Sequence, residues 1–280
     1  MLGALALVAI GGAVLGLGAA HARHERSLRP IWTSLARPGP GERFDPAMVD
    51  SLPEPARRFL LHAIAPGTPL ARAAELHMTG AIQLRPDAPP IPMDARQVLA
   101  PREGYIWQAR VASGPMRIRG YDLFTGADGE MRWWVYGLVP VVNATGAELA
   151  RSANGRAGGE NVFVPSLLLP RAGAAWEAVD DSTARVRVPA PIEPVTITIT
   201  VADDGRVRAV SFPRWNNDPA NGPVGYTTFG IDSVTEERTF GGYTIPTRFR
   251  AGWRLGQPDE RAFFFPVIDE VTYHCFPPAT

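Results

Sequence analysis

The stretch Val195-Thr-Ile-Thr-Ile-Thr-Val201 alternates apolar and polar side chains throughout, and Asp204-Gly205 follows it. A period of two marks a half-buried strand, and Asp-Gly closes a tight hairpin. Counting back from a two-residue loop sets Ile199 opposite Val210, Ile197 opposite Phe212 and Thr198 opposite Ser211. Both strands then turn their apolar side chains to one face, which fixes the register through burial.

The same signals recur along the chain. Gly241-Gly242 turns a hairpin between Thr227–Phe240 and Tyr243–Leu255, and a last strand is expected over Arg261–Tyr273. Earlier, Glu75–Leu84, Met93–Ala100, Gly104–Ala112, Met116–Phe124 and Glu130–Tyr136 are short β-branched and aromatic runs parted by Pro and Gly. A two-residue loop at Asp128-Gly129 would place Phe124 opposite Trp133. Trp133 and Trp134 are neighbours, so they point to opposite faces and both faces must meet something apolar. A curved sheet with a helix inside and a loop, ligand or membrane outside meets that demand. Pro213–Gly225 reads as a long irregular loop, a frequent place for function.

Helical spacing is confined to short segments. Met48, Leu52, Ala56, Phe59, Leu60 and Ala63 form an apolar stripe broken by Pro53 and Pro55, which predicts two short helices, the second starting near Pro55. Gly146–Ala153 predicts another, with Glu148 in its first turn, and Asn154–Gly159 reads as a flexible glycine-rich bend. The apolar run from Glu160 to Pro170 and the strand restarting at Trp176 then divide two β-rich halves, as a buried organiser of the core.

Residues 2–20 carry no charge and are long enough to cross a bilayer core, which takes about 20 residues. Arg23, Arg26 and Arg29 follow the run and no basic residue precedes it, which favours an uncleaved inner-membrane anchor; the side of the membrane stays open. The alternative is a signal segment cut near Ala22, releasing a periplasmic or secreted domain. The expected organisation is residues 1–22 as anchor or signal, 23–45 as linker with its Gly/Pro stretch between Pro38 and Pro46, and 46–280 as one β-rich domain.

Composition removes several chemistries. Of the 280 residues 45% are apolar, enough for a large core, and 28 basic residues balance 28 acidic ones, so no field recruits nucleic acid. Cys275 is the single cysteine, which excludes internal disulfides and cysteine metal sites. His21, His24, His62, His77 and His274 lack metal-ligand spacing, and no phosphate-loop, dinucleotide or nucleophile-elbow motif is present; neither metal nor cofactor is expected. Glu160, beside Val162, Phe163 and Val164, is either a helix-terminal charge or a buried acid suited to proton transfer or head-group binding. Asp180 and Asp181 fit a turn, and Arg214 with Trp215 fits either an anion clamp or a surface cation-π pair.

Several pieces carry a resemblance: Leu52-Pro53-Glu54-Pro55-Ala56-Arg57-Arg58-Phe59, Gly146-Ala147-Glu148-Leu149-Ala150-Arg151, the Pro165-x-x-Leu168-Leu169-Pro170 core, Trp176-Glu177-Ala178-Val179-Asp180-Asp181, and Tyr243-Thr244-Ile245-Pro246-Thr247 followed by Trp253. In order and spacing the chain resembles a bacterial family of unknown function with an N-terminal membrane helix and a β-rich domain, similar to the lipoprotein-carrier and receptor (LolA/LolB-like) fold. It departs from that pattern at Phe59, where Tyr is usual, and in the glycine-rich segment before Glu160. The resemblance implies a cavity for acyl chains. The expectation is therefore a mainly β (α+β) protein whose curled antiparallel sheet, a half-barrel, encloses one or two helices and binds a lipid-like ligand without catalysis, lined by Trp133, Trp134, Phe163, Trp176 and Trp215. Two rivals stand beside it: a hydrolase or isomerase using Glu160 with Asp180 or Asp181 and Arg214, and a membrane-tethered interaction domain with a filled interior.

Overall fold

A computed structural model describes residues 22–39 and 41–275. The strands are β1 (Ala73–Ile82), β2 (Ile91–Ala100), β3 (Gly104–Ser113), β4 (Met116–Phe124), β5 (Gly129–Val135), β6 (Val139–Thr145), β7 (Ala175–Ala178), β8 (Thr183–Val188), β9 (Val195–Val201), β10 (Val207–Asn216), β11 (Gly225–Phe240), β12 (Tyr243–Trp253) and β13 (Arg261–His274). The helices are α1 (22–35), α2 (Glu54–Ala63) and α3 (Ala147–Gly159). The protein is mainly β. All 13 strands form one sheet in the order β6-β5-β4-β3-β2-β1-β13-β12-β11-β10-β9-β8-β7, open at β6 and β7.

That order is two antiparallel meanders joined along the β1–β13 seam, where Ala74 faces Tyr273 and Leu76 faces Val271. The chain leaves the first meander at β6 and re-enters at β7, the opposite edge, so α3 and three 3-10 turns (Glu160–Phe163, Pro165–Leu168, Pro170–Ala172) carry it across one face. We call that face inner. The expected compact segment there is a string of 3-10 turns restarted by Pro165 and Pro170, each at a first helical position. Val162, Val164, Leu168 and Leu169 are buried, and Ser166 Oγ donates to the Ala71 carbonyl.

Alternation along the strands makes two cores. Ala74, Leu99, Tyr105, Trp107 and Phe124 pack inward with α2, α3 and the turns. Ala73, Val98, Ala100, Ile106, Tyr121 and Trp134 face outward, under Leu28 and Leu35 of α1. The adjacent tryptophans thus meet apolar partners on both faces, and the outer partner is a helix lying within residues assigned to the linker. Among the described residues no helix is long and apolar enough to cross a membrane. The apolar run 2–20 lies outside the described residues.

The expected pairing of the β9–β10 hairpin is present, with Val210 facing Ile199 and Ser211 facing Thr198, but its turn is one residue longer than two: Val207 faces Val201, and a bulge before Ala209 restores the register. Gly241-Gly242 joins Phe240 to Tyr243 as expected. The register corrects another hairpin: Phe124 faces Gly129, and Trp133 faces Gly120, because the chain turns two residues earlier, over Gly126-Ala127, where Thr125 N–H bonds to Asp128 O. Two irregular segments turn out regular. β10 runs to Asn216 and takes Arg214 and Trp215 out of the expected loop. The expected glycine bend is the second half of α3, whose glycines 155, 158 and 159 let it approach the sheet: a Cβ at Gly158 would lie 2.5 Å from Val195, and one at Gly159 would overlap the Phe212 ring. Close packing there outweighs a helix-propensity cost of about 1 kcal/mol per glycine.

Candidate functional site

The glycine face of α3 lies on β9 and β10, and the same helix touches β3, β4, β5 and β6. Arg156 therefore points from α3 into the inner face. Its Nε lies 2.7 Å from Glu160 Oε1, one helical turn on, and its Nη1 lies 3.3 Å from Asp122 Oδ2 on β4. Gln97 Nε2 donates to the other Glu160 oxygen at 2.6 Å, and Trp133 Nε1 donates to Asp122 Oδ1 at 3.2 Å. Side-chain exposures of 14% for Arg156, 17% for Asp122 and 16% for Glu160 place all three charges largely out of water. Burial raises Asp122 above the ordinary carboxylate range although Arg156 pulls it down.

Aromatic rings wall the cluster. The Arg156 guanidinium lies 4.5 Å from the Tyr105 ring centre and 5.5 Å from that of Trp107. Burial pushes the Tyr105 phenol up to about 12. Trp107 meets Trp133 at 5.7 Å and Phe264 at 5.9 Å, while Phe229 meets Trp253 at 4.9 Å and Phe263 at 6.1 Å. Phe263 and Phe264 are consecutive, yet both reach inner-face rings. The cause is a register shift between Ala251 and Gly252, which adds a residue to β13 and re-aims its side chains.

Arg214 enters from β10, opposite Thr227. Its guanidinium lies 4.6 Å from the Phe229 ring centre and 5.1 Å from that of Trp253, and its Nε donates to the Ser152 carbonyl and hydroxyl oxygens at 3.2 Å. Burial lowers it to about 10, so it is charged at neutral pH. Trp107 Nε1–H is buried without an acceptor among the described residues.

Of the residues singled out from the sequence, Glu160, Arg214 and Trp133 come together here. Phe163 stacks on Phe249 at 5.7 Å within the inner core. Trp134 is on the outer face beside Tyr121; Trp176 packs on Phe59 and donates to the Leu168 carbonyl; Trp215 contacts Tyr226 and Arg151. Asp180 accepts from Ser182 in the exposed turn after β7, and the Asp181 carbonyl accepts from Arg58, so neither carboxylate joins Glu160. Asp122 joins it instead. Sequence reading missed Asp122, Arg156 and Gln97. Asp122 was accessible to it: on β4 it shares a face with Ile118 and Phe124, a charge among inward apolar positions. Arg156 was hidden by the glycines around it. Among the described residues no three His, Cys, Asp or Glu side chains gather as metal ligands.

An open antiparallel sheet bearing this enclosed charged cluster under a crossing helix defines the class of protein. The chain belongs to the family of unknown function DUF6544, whose model matches residues 42–265. Among solved structures it is similar to the LolA superfamily protein NE2245 of Nitrosomonas europaea, with a TM-score of 0.44 and 11% identity over 80% of this chain and 93% of that one. It is also similar to a DUF1329 family protein of Desulfovibrio piger, with a TM-score of 0.36 and 10% identity over 82% of this chain and 94% of that one. No curated protein matches it.

Proposed function

We propose that the protein binds a lipid-like or other apolar ligand on the inner face of its sheet, beside α3, and performs no reaction on it. The observation that carries this reading is the trio Trp133, Phe263 and Phe264, which point inward yet stay only partly buried. Partly open aromatic surface beside a few convergent polar groups is the usual make-up of an apolar ligand site. In a flat sheet β5 and β10, eight places apart, would stand about 38 Å from each other. Both touch α3, a 13-residue helix about 20 Å long. That supports a sheet that bends toward the helix without closing round it. The uncharged run 2–20 supports a membrane tether that holds the domain near its ligand's source.

The test is photolabelling of the full chain with adamantane diazirine, a neutral apolar probe, followed by peptide mapping. The expected labels fall on β5 and β13 around Trp133 and Phe263-Phe264, and Trp133→Gln with Phe264→Gln removes them while far-UV circular dichroism is unchanged. Labels confined to residues 2–20 and the outer face would refute the reading.

A further inference from the structure

We infer that Arg214 anchors the head of that ligand, which is an amphiphile ending in an oxyanion, a carboxylate or a phosphate. The inference rests on the apolar-ligand reading above and names what the site selects.

It follows from how the inner-face charges are shared. Arg156 and Arg214 face two carboxylates, and Arg156 holds both, Glu160 through Nε and Asp122 through Nη1. Among the described residues no carboxylate lies within ion-pair distance of Arg214, and its Nη1 and Nη2 have no hydrogen-bond partner. Ser152 satisfies Nε alone, which leaves the two terminal nitrogens as a fork, the geometry that takes two oxygens of one anion. A guanidinium partly withdrawn from water with no carboxylate in contact loses solvation, and the ring faces of Phe229 and Trp253 supply only part of it. Burial is the largest influence lowering Arg214 and the Arg156 charge adds to it, while Tyr105, Glu160 and Asp122 offset only part. An arriving oxyanion offsets the rest. The rings that flank Arg214 continue through Phe229 to Phe263, so a chain attached to the anion has apolar surface to follow. A cationic amphiphile would meet Arg214 and Arg156 with like charge, and a neutral one would leave the fork empty.

The experiment is retention of radiolabelled oleate by the full chain immobilised on resin, challenged with unlabelled 1-oleoyl lysophosphatidate, oleyl alcohol and inorganic phosphate. Oleate and the lysophosphatidate should bind at least about tenfold more tightly than oleyl alcohol, the scale of a charge-assisted hydrogen-bond pair. Arg214→Gln should bring oleate down to the level of the alcohol, and Arg214→Lys, which keeps the charge, should retain part of the difference. Oleate and oleyl alcohol held equally, with Arg214→Gln indifferent, would overturn the anchor and leave the apolar reading standing. Retention of none of the three lipids would overturn both. Displacement of oleate by phosphate at equal concentration would make this a site for free anions and overturn the amphiphile. The wild-type comparison of oleate with its alcohol decides the matter even if the Gln variant fails to fold.

Discussion

Replacing Arg156 with Met tests the inner-face cluster most severely. The Met side chain keeps the apolar stem between Tyr105 and Trp107 but removes the cation that holds Asp122 and Glu160. All three side chains are largely buried, so the variant strands two carboxylates that water reaches poorly. Removing one partner of a buried pair costs about 3–5 kcal/mol, a large share of a domain's usual 5–15 or so. Burial already holds Asp122 above its ordinary value and Arg156 pulls it down, so without Arg156 its folded-state proton affinity rises further above the unfolded one, the native state binds more protons and stability falls as pH rises through that window. The deficit against wild type should therefore be largest at pH 7 and shrink toward pH 5. Urea unfolding followed by tryptophan fluorescence at both pH values measures it. The triple change Arg156→Met, Asp122→Asn, Glu160→Gln should recover most of the loss, because no charge is left stranded. A Met variant within about 1 kcal/mol of wild type at pH 7, or a gap that widens on acidification, would refute the reasoning.

The other expectations concern packing and protonation elsewhere. Gly159→Ala improves helix propensity by about 1 kcal/mol, yet its methyl would overlap the Phe212 ring, so calorimetry should show a net loss of about 1–2 kcal/mol; a gain would mean α3 does not rest on β10 as described. Tyr243 donates to the Pro69 carbonyl at 2.8 Å and accepts from Ala71 N–H at 2.9 Å, so Tyr243→Phe should cost about 1–3 kcal/mol by urea unfolding. Burial pushes Tyr243, like Tyr105, up to about 12 from the ordinary 10.0, so the stabilising contribution of each is complete below pH 10 and lost as pH rises to about 12; a phenolate absorbance at pH 10 that is lost from the folded Tyr105→Phe or Tyr243→Phe variant would contradict this. Leu28, on the sheet-facing side of α1 at 3% exposure, belongs to the smaller outer core. Leu28→Asp should speed hydrogen exchange across residues 22–35 without lowering the unfolding midpoint of the sheet, and equal losses in both would make α1 part of the main core.

The hairpins were legible because one covered face makes strand register a matter of period two: Ile199 against Val210 follows from alternation and a turn. Phe124 pairs elsewhere because the chain turns at Gly126-Ala127, where Gly126 takes a φ of 86°, and Gly129 already belongs to the next strand. Helix α3 was cut short because propensity counts a glycine as a breaker, whereas glycines 155, 158 and 159 recur at the three- and four-residue spacing of one helix face, and their lack of side chains is what brings Arg156 beneath β4. Half of the site was visible as single residues, Glu160 and Arg214 among them. Its assembly was not, because the partners sit far apart along the chain, Gln97 with Glu160 and Arg156 with Asp122. Asp180 drew notice as a charge near the central segment, but sequence proximity to a buried element says nothing of the face it serves, and its own backbone turn claims it.

The central claim is that the inner face holds an apolar ligand. Native mass spectrometry of the full chain, purified from a bacterial host and released from detergent micelles in the gas phase, with solvent extraction of the same sample, tests it most directly. The account predicts a bound amphiphile, identified in the extract as an acid or phosphate, that is absent from the Trp133→Gln, Phe264→Gln variant. A bare protein mass, with no uptake of added oleate or lysophosphatidate, would contradict it.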